Sequence, residues 1–304
     1  MKAAVIDLGT NTFHLVISTI RAGKVDVIYK TNIPVQLGQG KINEGEIIPE
    51  AFERGINALK TFRTEIDKHG VDLIKATATA AVRSASNGTD FVREAAEKAG
   101  ITITVISGEQ EAGYIFKGVQ ATGLIRQKSL IMDIGGGSTE FILCSPEGQF
   151  WKKSYPVGAA RLLQAYWHSD PVSVADQQAI ASLLEKELHE LVQKCNFYQP
   201  QCLIGSAGAF ETYAAMLLPE TDLKNIAAAK LDYEAFSDLL TKLIVSNHAT
   251  REAIPELIPL RVDMIVMASL LCRYILKNTG VKQIALSTYD LKMGILYQLA
   301  AEEL

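Results

Sequence analysis

Apolar positions along the chain follow two periods. Short aliphatic and β-branched runs predict buried strands, and stretches with an apolar residue every three or four positions predict amphipathic helices. The two most regular strand patterns are copies of one phrase. KAAVIDLGTNTFHLVIS, from Lys2 to Ser18, and KSLIMDIGGGSTEFILC, from Lys128 to Cys144, align without a gap. Lys2 falls on Lys128, Asp7 on Asp133 and Gly9 on Gly135, with aliphatic matches such as Val5 with Ile131 and Leu8 with Ile134. Each copy reads as a strand, an Asp-aliphatic-Gly step, a small polar turn and a second strand. That is a β-hairpin with a tip of Gly, Ser, Thr and Asn.

Around these hairpins the periods alternate. A strand is expected near residues 24–30, then a loop at Leu37–Lys41. A helix begins near Pro49, carries Phe52, Ile56, Leu59, Phe62 and Ile66 on one face, and stops at Gly70. Residues 72–79 read as a strand, 90–99 as a helix closed by Gly100, 101–106 as a strand, and 109–119 as a helix. The second half is more helical. A helix starts at Ser173-x-x-Asp176 and runs to about Phe197. Residues 202–204 form a strand, Gly205-Ser-Ala-Gly208 a turn, and a helix begins near Phe210. Helices near 232–247 and 262–277, a strand at 283–287 and a last helix from Leu291 to about Ala301 complete the chain. Alternating strands and helices predict an α/β fold. The repeat restarts just after residues 122–127, which places the domain boundary there.

Composition narrows the functional classes. With 304 residues, 48% hydrophobic and 21% charged, the chain has the makings of two globular domains. The formal net charge is -4, so there is no general basic field for a nucleic-acid polymer, and none is expected as partner. The N-terminus lacks the apolar run of a signal peptide, and Met264–Leu271 is too short to span a membrane. Cys144, Cys195, Cys202 and Cys272 form no C-x-x-C pair, and the five histidines are scattered. A reducing cytoplasm is the expected setting.

The candidate chemistry lies at the hairpin tips. Gly9-Thr10-Asn11-Thr12 and Gly135-Gly136-Gly137-Ser138 offer backbone amides and small hydroxyls, which suit phosphate oxygens. Asp7 and Asp133, at the start of each tip, suit Mg²⁺, a hard cation that prefers oxygen. Two such hairpins facing each other would clamp a phosphate chain. Amides around Gly208, where a strand gives way to a helix, could receive a further anion. Glu140 lies on the second strand of the second copy, where its counterpart in the first copy is His14. Arg83 follows a buried strand and could meet phosphate bidentately, with Arg261 and Lys292 as further cations. No G-x-x-x-x-G-K-[ST], C-x-x-x-x-x-R, DxD or Ser-centred G-x-S-x-G is present. The expected attacker is therefore water or a substrate hydroxyl, which needs a base. Glu109 and Glu111 in Ser107-Gly-Glu-Gln-Glu-Ala112 are the candidates. The local sequence leaves both readings open, a base or acids favoured in a first helical turn.

These segments together resemble the Ppx/GppA phosphatases, exopolyphosphatases and guanosine pentaphosphate phosphohydrolases of the actin-like, sugar-kinase and Hsp70 superfamily. The resemblance is carried by Asp7–Leu15, Ala76–Arg83, Ile106–Ala112 and Asp133–Glu140, and it extends over essentially the whole chain. It implies two actin-like (ribonuclease H-like) α/β domains, residues 1–122 and 123–304, around a cleft, with the last helix, about 291–304, folding back on the first. It assigns Glu111 as general base, Asp133 and Glu140 to Mg²⁺ and water positioning, and Arg83 to phosphate. The implied activity is Mg²⁺-dependent hydrolysis of the terminal phosphoanhydride of inorganic polyphosphate. The alternatives are a pppGpp 5′-phosphatase, a small kinase or ATPase of the superfamily, or a polyphosphate- or nucleotide-binding sensor. A second copy of the chain is an expected partner, and a membrane is not. Gln110, Ala209, Tyr289 and Lys292 depart from the family pattern, and the chain is similar to the short, two-domain members.

Overall fold

The computed structural model describes residues 1–303. The chain divides into two compact units, one formed by Met1–Gly118 together with the segment from Leu291 onward, the other by Val119–Asp290.

Unit 1 is built on a five-stranded sheet in the order β3-β2-β1-β4-β5. Its strands are β1 (Lys2–Leu8), β2 (Thr12–Arg21), β3 (Lys24–Pro34), β4 (Leu73–Ala78) and β5 (Ile103–Val105). β1, β2 and β3 form an antiparallel meander, whereas β1, β4 and β5 are mutually parallel. The helices are α1 (Pro49–His69), α2 (Ala80–Ser84), α3 (Gly88–Ala99) and α4 (Gly108–Ala121). α1 starts on Pro49, whose fixed φ suits a first helical turn. It buries Ile56, Leu59, Phe62 and Ile66 and ends on Gly70 at φ 59. A left-handed φ costs glycine least, and so the helix stops there. The last helix, Leu291–Glu302, packs on β1, β2 and β3. It comes so close to α4 that a Cβ on Gly294 would lie 1.8 Å from the Tyr114 carbonyl oxygen. Residue 304 lies outside the described residues.

Unit 2 carries a six-stranded sheet in the order β10-β11-β9-β6-β7-β8. Its strands are β6 (Ser129–Ile134), β7 (Thr139–Ser145), β8 (Gly148–Tyr155), β9 (Cys202–Ser206), β10 (Ala228–Leu231) and β11 (Gln283–Ser287). Its helices are α5 (Ala159–Tyr166), α6 (Val174–Glu187), α7 (His189–Tyr198), α8 (Ala207–Leu217), α9 (Tyr233–Val245), α10 (His248–Glu252) and α11 (Met264–Thr279). β6, β9 and β11 are parallel, and β7 and β8 continue antiparallel from β6.

The order β8-β7-β6-β9-β11 in unit 2 repeats β3-β2-β1-β4-β5, with β10 added at the edge. The repetition extends to an irregularity. A β-bulge falls between Ile17 and Ser18 in one hairpin and between Leu143 and Cys144 in the other, at matching positions of the aligned phrase. The duplicated unit is therefore a three-stranded meander plus two parallel strands.

The structure also departs from the sequence reading. The long helix after Ser173 is two, α6 and α7, meeting at Leu188. Gly205 and Ser206 belong to β9, and α8 begins at Ala207. A Cβ on Gly205 would lie 1.9 Å from the Phe210 ring, so this glycine serves core packing inside a strand. The units divide within α4, ahead of the expected linker. α2, α5, α10 and β10 are too short to show a period.

Candidate active site

In open α/β sheets, groups leaving the carboxyl ends of parallel strands share one edge. In unit 1 these are the tip Gly9–Thr12 after β1, the turn into α2 after β4 and the turn into α4 after β5. In unit 2 they are the tip Gly135–Ser138 after β6, the start of α8 after β9 and the Ser287–Asp290 turn after β11. Most of the expected site residues stand on these two edges.

Each tip is tied from behind by its carbonyls. In unit 2, Gly135 O accepts from Ala159 N at 2.9 Å, and Gly136 O from Ala160 N at 2.9 Å and Arg161 N at 3.2 Å. Gly137 O accepts from Arg161 Nε at 2.8 Å. A trans peptide points its N–H opposite to its C=O. The N–H groups of Gly136, Gly137 and Ser138 therefore point away from α5, as an anion cradle requires. Gly158 permits this contact, because a Cβ there would lie 2.3 Å from Gly136 O. In unit 1, Asn11 O accepts from Gln36 N at 2.8 Å and Thr10 O from Gly38 N at 3.1 Å, turning the Asn11 and Thr12 amides outward. A Cβ on Gly38 would meet the Thr10 and Ile42 side chains at 2.6 and 2.7 Å. The sequence reading missed Gly38, Gly158 and Arg161; the signal for the two glycines was Gly among otherwise ordinary loop residues, and Arg161 lies in α5 with no local signal.

Behind each tip runs a row of polar side chains set by strand register. In unit 2, Ser206, Asp133, Glu140 and Ser154 are successive cross-strand partners on β9, β6, β7 and β8. Directly opposed residues share a face. Asp133 is 7% exposed and Glu140 1%. Glu140 Oε1 accepts hydroxyl hydrogen bonds from Ser138 at 2.7 Å and Ser154 at 2.6 Å. In unit 1 the corresponding row is Thr77, Asp7, His14 and Asn32. Lys292 Nζ, from the last helix, stands 3.9 Å from Asp7 Oδ2.

The two units thus differ in what they offer a metal. Among the described residues, no three His, Cys, Asp or Glu side chains group as a metal cage. Mg²⁺ needs no such cage, since it keeps water and binds through one or two carboxylates plus substrate oxygens. The opposed Asp133 and Glu140 fit that donor set. Two buried carboxylates side by side also repel one another, which a cation would relieve. Asp7 has an imidazole opposite and an ammonium beside it.

Glu111 and Arg83 come together in unit 1. Glu111 is 8% exposed, and its Oε2 accepts from Arg83 Nη1 at 3.0 Å. The same Nη1 donates to Ile106 O at 3.0 Å. Glu109 is exposed and takes no part. Gln110, where the family pattern has an acid, forms a capping box: Ser107 N donates to Gln110 Oε1 at 2.9 Å, and Gln110 N to Ser107 Oγ at 3.1 Å. These two bonds cap the start of the helix that carries Glu111.

At the head of α8, Gly208 and Arg261 are brought together. A Cβ on Gly208 would lie 2.2 Å from Arg261 Nη2. Arg261 Nη1 donates to Thr212 Oγ1 at 2.8 Å, and that hydroxyl donates to Gly208 O at 2.8 Å. Burial holds the Arg261 guanidinium below its usual pKa. A cysteine nucleophile is absent from both edges. All four thiols are buried, and burial raises them, Cys144 and Cys195 to about 12 and Cys202 to about 11. Among the described residues, no helix is long and apolar enough to cross a membrane.

Known proteins share this architecture. The sequence model of the Ppx/GppA phosphatase family matches residues 16–303. An exopolyphosphatase from Cytophaga hutchinsonii superposes with a TM-score of 0.96 at 36% identity, covering 99% of this chain and 98% of its own. Exopolyphosphatase 2 of Mycobacterium tuberculosis is 29% identical over 98% of both chains. The Aquifex aeolicus member of the Ppx/GppA family has the same fold, with a TM-score of 0.83 at 24% identity over 100% of this chain and 98% of that one.

Proposed function

Because the chain belongs to the Ppx/GppA phosphatase family, we propose that it is an Mg²⁺-dependent exopolyphosphatase. It removes the terminal phosphate of inorganic polyphosphate as orthophosphate. The observation that carries this reading is the pair of amide-outward tips, each backed by a carboxylate on its own sheet. Such turns suit a ligand that is phosphate throughout its length. The relatives described as exopolyphosphatases support the choice of substrate.

In this reading, Glu111 orients a water in line with the terminal phosphorus and accepts its proton. The new P–O bond forms as the bridging P–O bond breaks, and the shortened chain leaves with the bridging oxygen. Arg83 holds Glu111 in place through Nη1 and contributes positive charge beside it. The outward amides, with Arg261 at the head of α8, bind phosphate oxygens. Asp133 and Glu140 would hold Mg²⁺, whose chemistry is to neutralise charge on the phosphoanhydride oxygens.

The test is phosphate release with Mg²⁺ from long polyphosphate, tripolyphosphate, pyrophosphate, pppGpp and ATP. Long polyphosphate is expected to give the highest kcat/KM. A clear preference for pppGpp would move the assignment to the alarmone phosphatase, and release from none of the five would leave a binding sensor.

A further inference from the structure

Arg251 heads the fully buried side chains by size, with 0% exposure. A buried guanidinium is costly unless its charge and donors are matched. Here they are. Nη2 donates to Asp170 Oδ1 at 2.9 Å and to Asp263 Oδ1 at 2.8 Å. Nη1 donates to the Ser246 carbonyl, and Nε to the Val262 carbonyl at 2.8 Å. The guanidinium carbon lies 5.2 Å from the Trp167 ring centroid. The second Asp170 oxygen accepts the His248 N–H, and the His248 ring meets Asp263 Oδ1 at 2.7 Å. One side chain thus ties the loop at 167–170, the end of α9, α10 and the residues before α11.

The grip on Val262 bears on its neighbour. Arg261 closes a one-turn 3₁₀ segment, Pro259–Arg261, and its own peptide carbonyl is followed directly by the residue that Arg251 holds. Two residues on, Asp263 is held by the same guanidinium. Arg261 is therefore pinned from the C-terminal side while its guanidinium lies against Gly208 and Thr212. We propose that Arg251, with Asp170 and Asp263, is a positioning network that sets Arg261 for phosphate binding at the head of α8. The inference rests on the reading of Arg261 as a phosphate ligand. Lysine cannot substitute for Arg251, because a single ammonium cannot serve two carbonyls and two carboxylates in one planar fork.

A double-mutant cycle tests it. Tripolyphosphate binding in the presence of Mg²⁺ is measured by calorimetry for the wild type, Arg261→Ala, Arg251→Lys and the double variant, with folding checked by circular dichroism. Each single change is expected to weaken binding about tenfold, the scale of one charge-assisted hydrogen bond. The double variant is expected to bind little worse than either single one, because both changes remove the same contact. In turnover, Arg251→Lys should raise KM with kcat nearly retained. Wild-type binding by folded Arg251→Lys overturns the inference, as does a full additional loss in the Arg261→Ala background. Wild-type binding by Arg261→Ala removes the phosphate role of Arg261 itself, and with it anything for the network to position. Should Arg251→Lys not fold, Asp170→Asn, which keeps the guanidinium and the side-chain shape, goes through the same cycle with the same outcomes.

Discussion

Glu109 and Glu111 sit two positions apart in one helix start, yet only Glu111 is buried and held by an arginine. Glu111→Gln keeps an oxygen for Arg83 but removes the proton acceptor. Turnover is expected to fall by about 10² to 10⁴ while tripolyphosphate binding is kept. Saturating kcat and calorimetric affinity check the two halves, and near-wild-type kcat would remove Glu111 from the role. The acids at the tips should differ from one another. Asp133→Asn breaks an opposed carboxylate pair and should shift the Mg²⁺ activation curve to higher concentration. Asp7→Asn, facing His14 with Lys292 nearby, should shift it less. Equal shifts would show that the residue opposite each acid does not matter. His248 offers a pH dependence of stability. Its hydrogen bond to Asp263 raises its pKa above the ordinary value of 6.5. The folded state then binds the proton more tightly than the unfolded chain. The resulting stability is fully present below about 6.5 and is lost as pH rises through the raised folded value. The difference in melting temperature between wild type and His248→Gln should shrink across that window, and a constant difference would refute the assignment.

At the scale of elements, each tip depends on what stands behind it. Gly158→Ala would press a methyl group into the Gly136 peptide. Overpacking of this kind costs about 1 to 3 kcal/mol. Displacement of the tip should also lower kcat/KM by up to about 10²-fold, the scale of a 1 Å misplacement. Thermal melting and steady-state kinetics on the one variant read both, and an unchanged kcat/KM would show that the contact is only structural. This dependence marks where the sequence was legible. The hairpins, α1 with its Pro49 start and Gly70 stop, and β11 at Gln283–Ser287 all follow from local period and punctuation. Asp7, Asp133 and Glu140 stood out as charges in apolar strands. Register did not. That Ser154 and Ser206 join the row of Asp133 and Glu140 is a property of strand pairing, and nothing within either strand records it. Gly205 misled for a related reason, since a glycine required by a distant ring looks in sequence like a glycine required by a turn.

At the scale of the whole molecule, the net charge of -4 gives no general attraction to a polyanion. In the function proposed above, binding comes from local amides, Arg83, Arg261 and cations. Each phosphate contact that displaces counterions steepens the salt dependence, by analogy with nucleic acids. Affinity for long polyphosphate should therefore fall more steeply with salt than affinity for tripolyphosphate. Titrations at several salt concentrations measure both slopes, and equal slopes would limit the contacts to the chain end. The composition of unit 1 has a different consequence, one that concerns synthesis. Its helix Leu291–Glu302 packs on β1, β2 and β3 but is synthesised only after the whole of unit 2. At about 5 to 20 residues per second, roughly ten to thirty-five seconds separate residue 118 from that helix. Through this interval the sheet of unit 1 waits without that helix, whereas unit 2 is contiguous and can close as it emerges. Residues 1 and 303 lie close together, with the Met1 nitrogen 3.8 Å from Glu303 Oε1. A circular permutant of these residues that begins at Leu291 and joins residue 303 to residue 1 through a short linker would deliver this helix first.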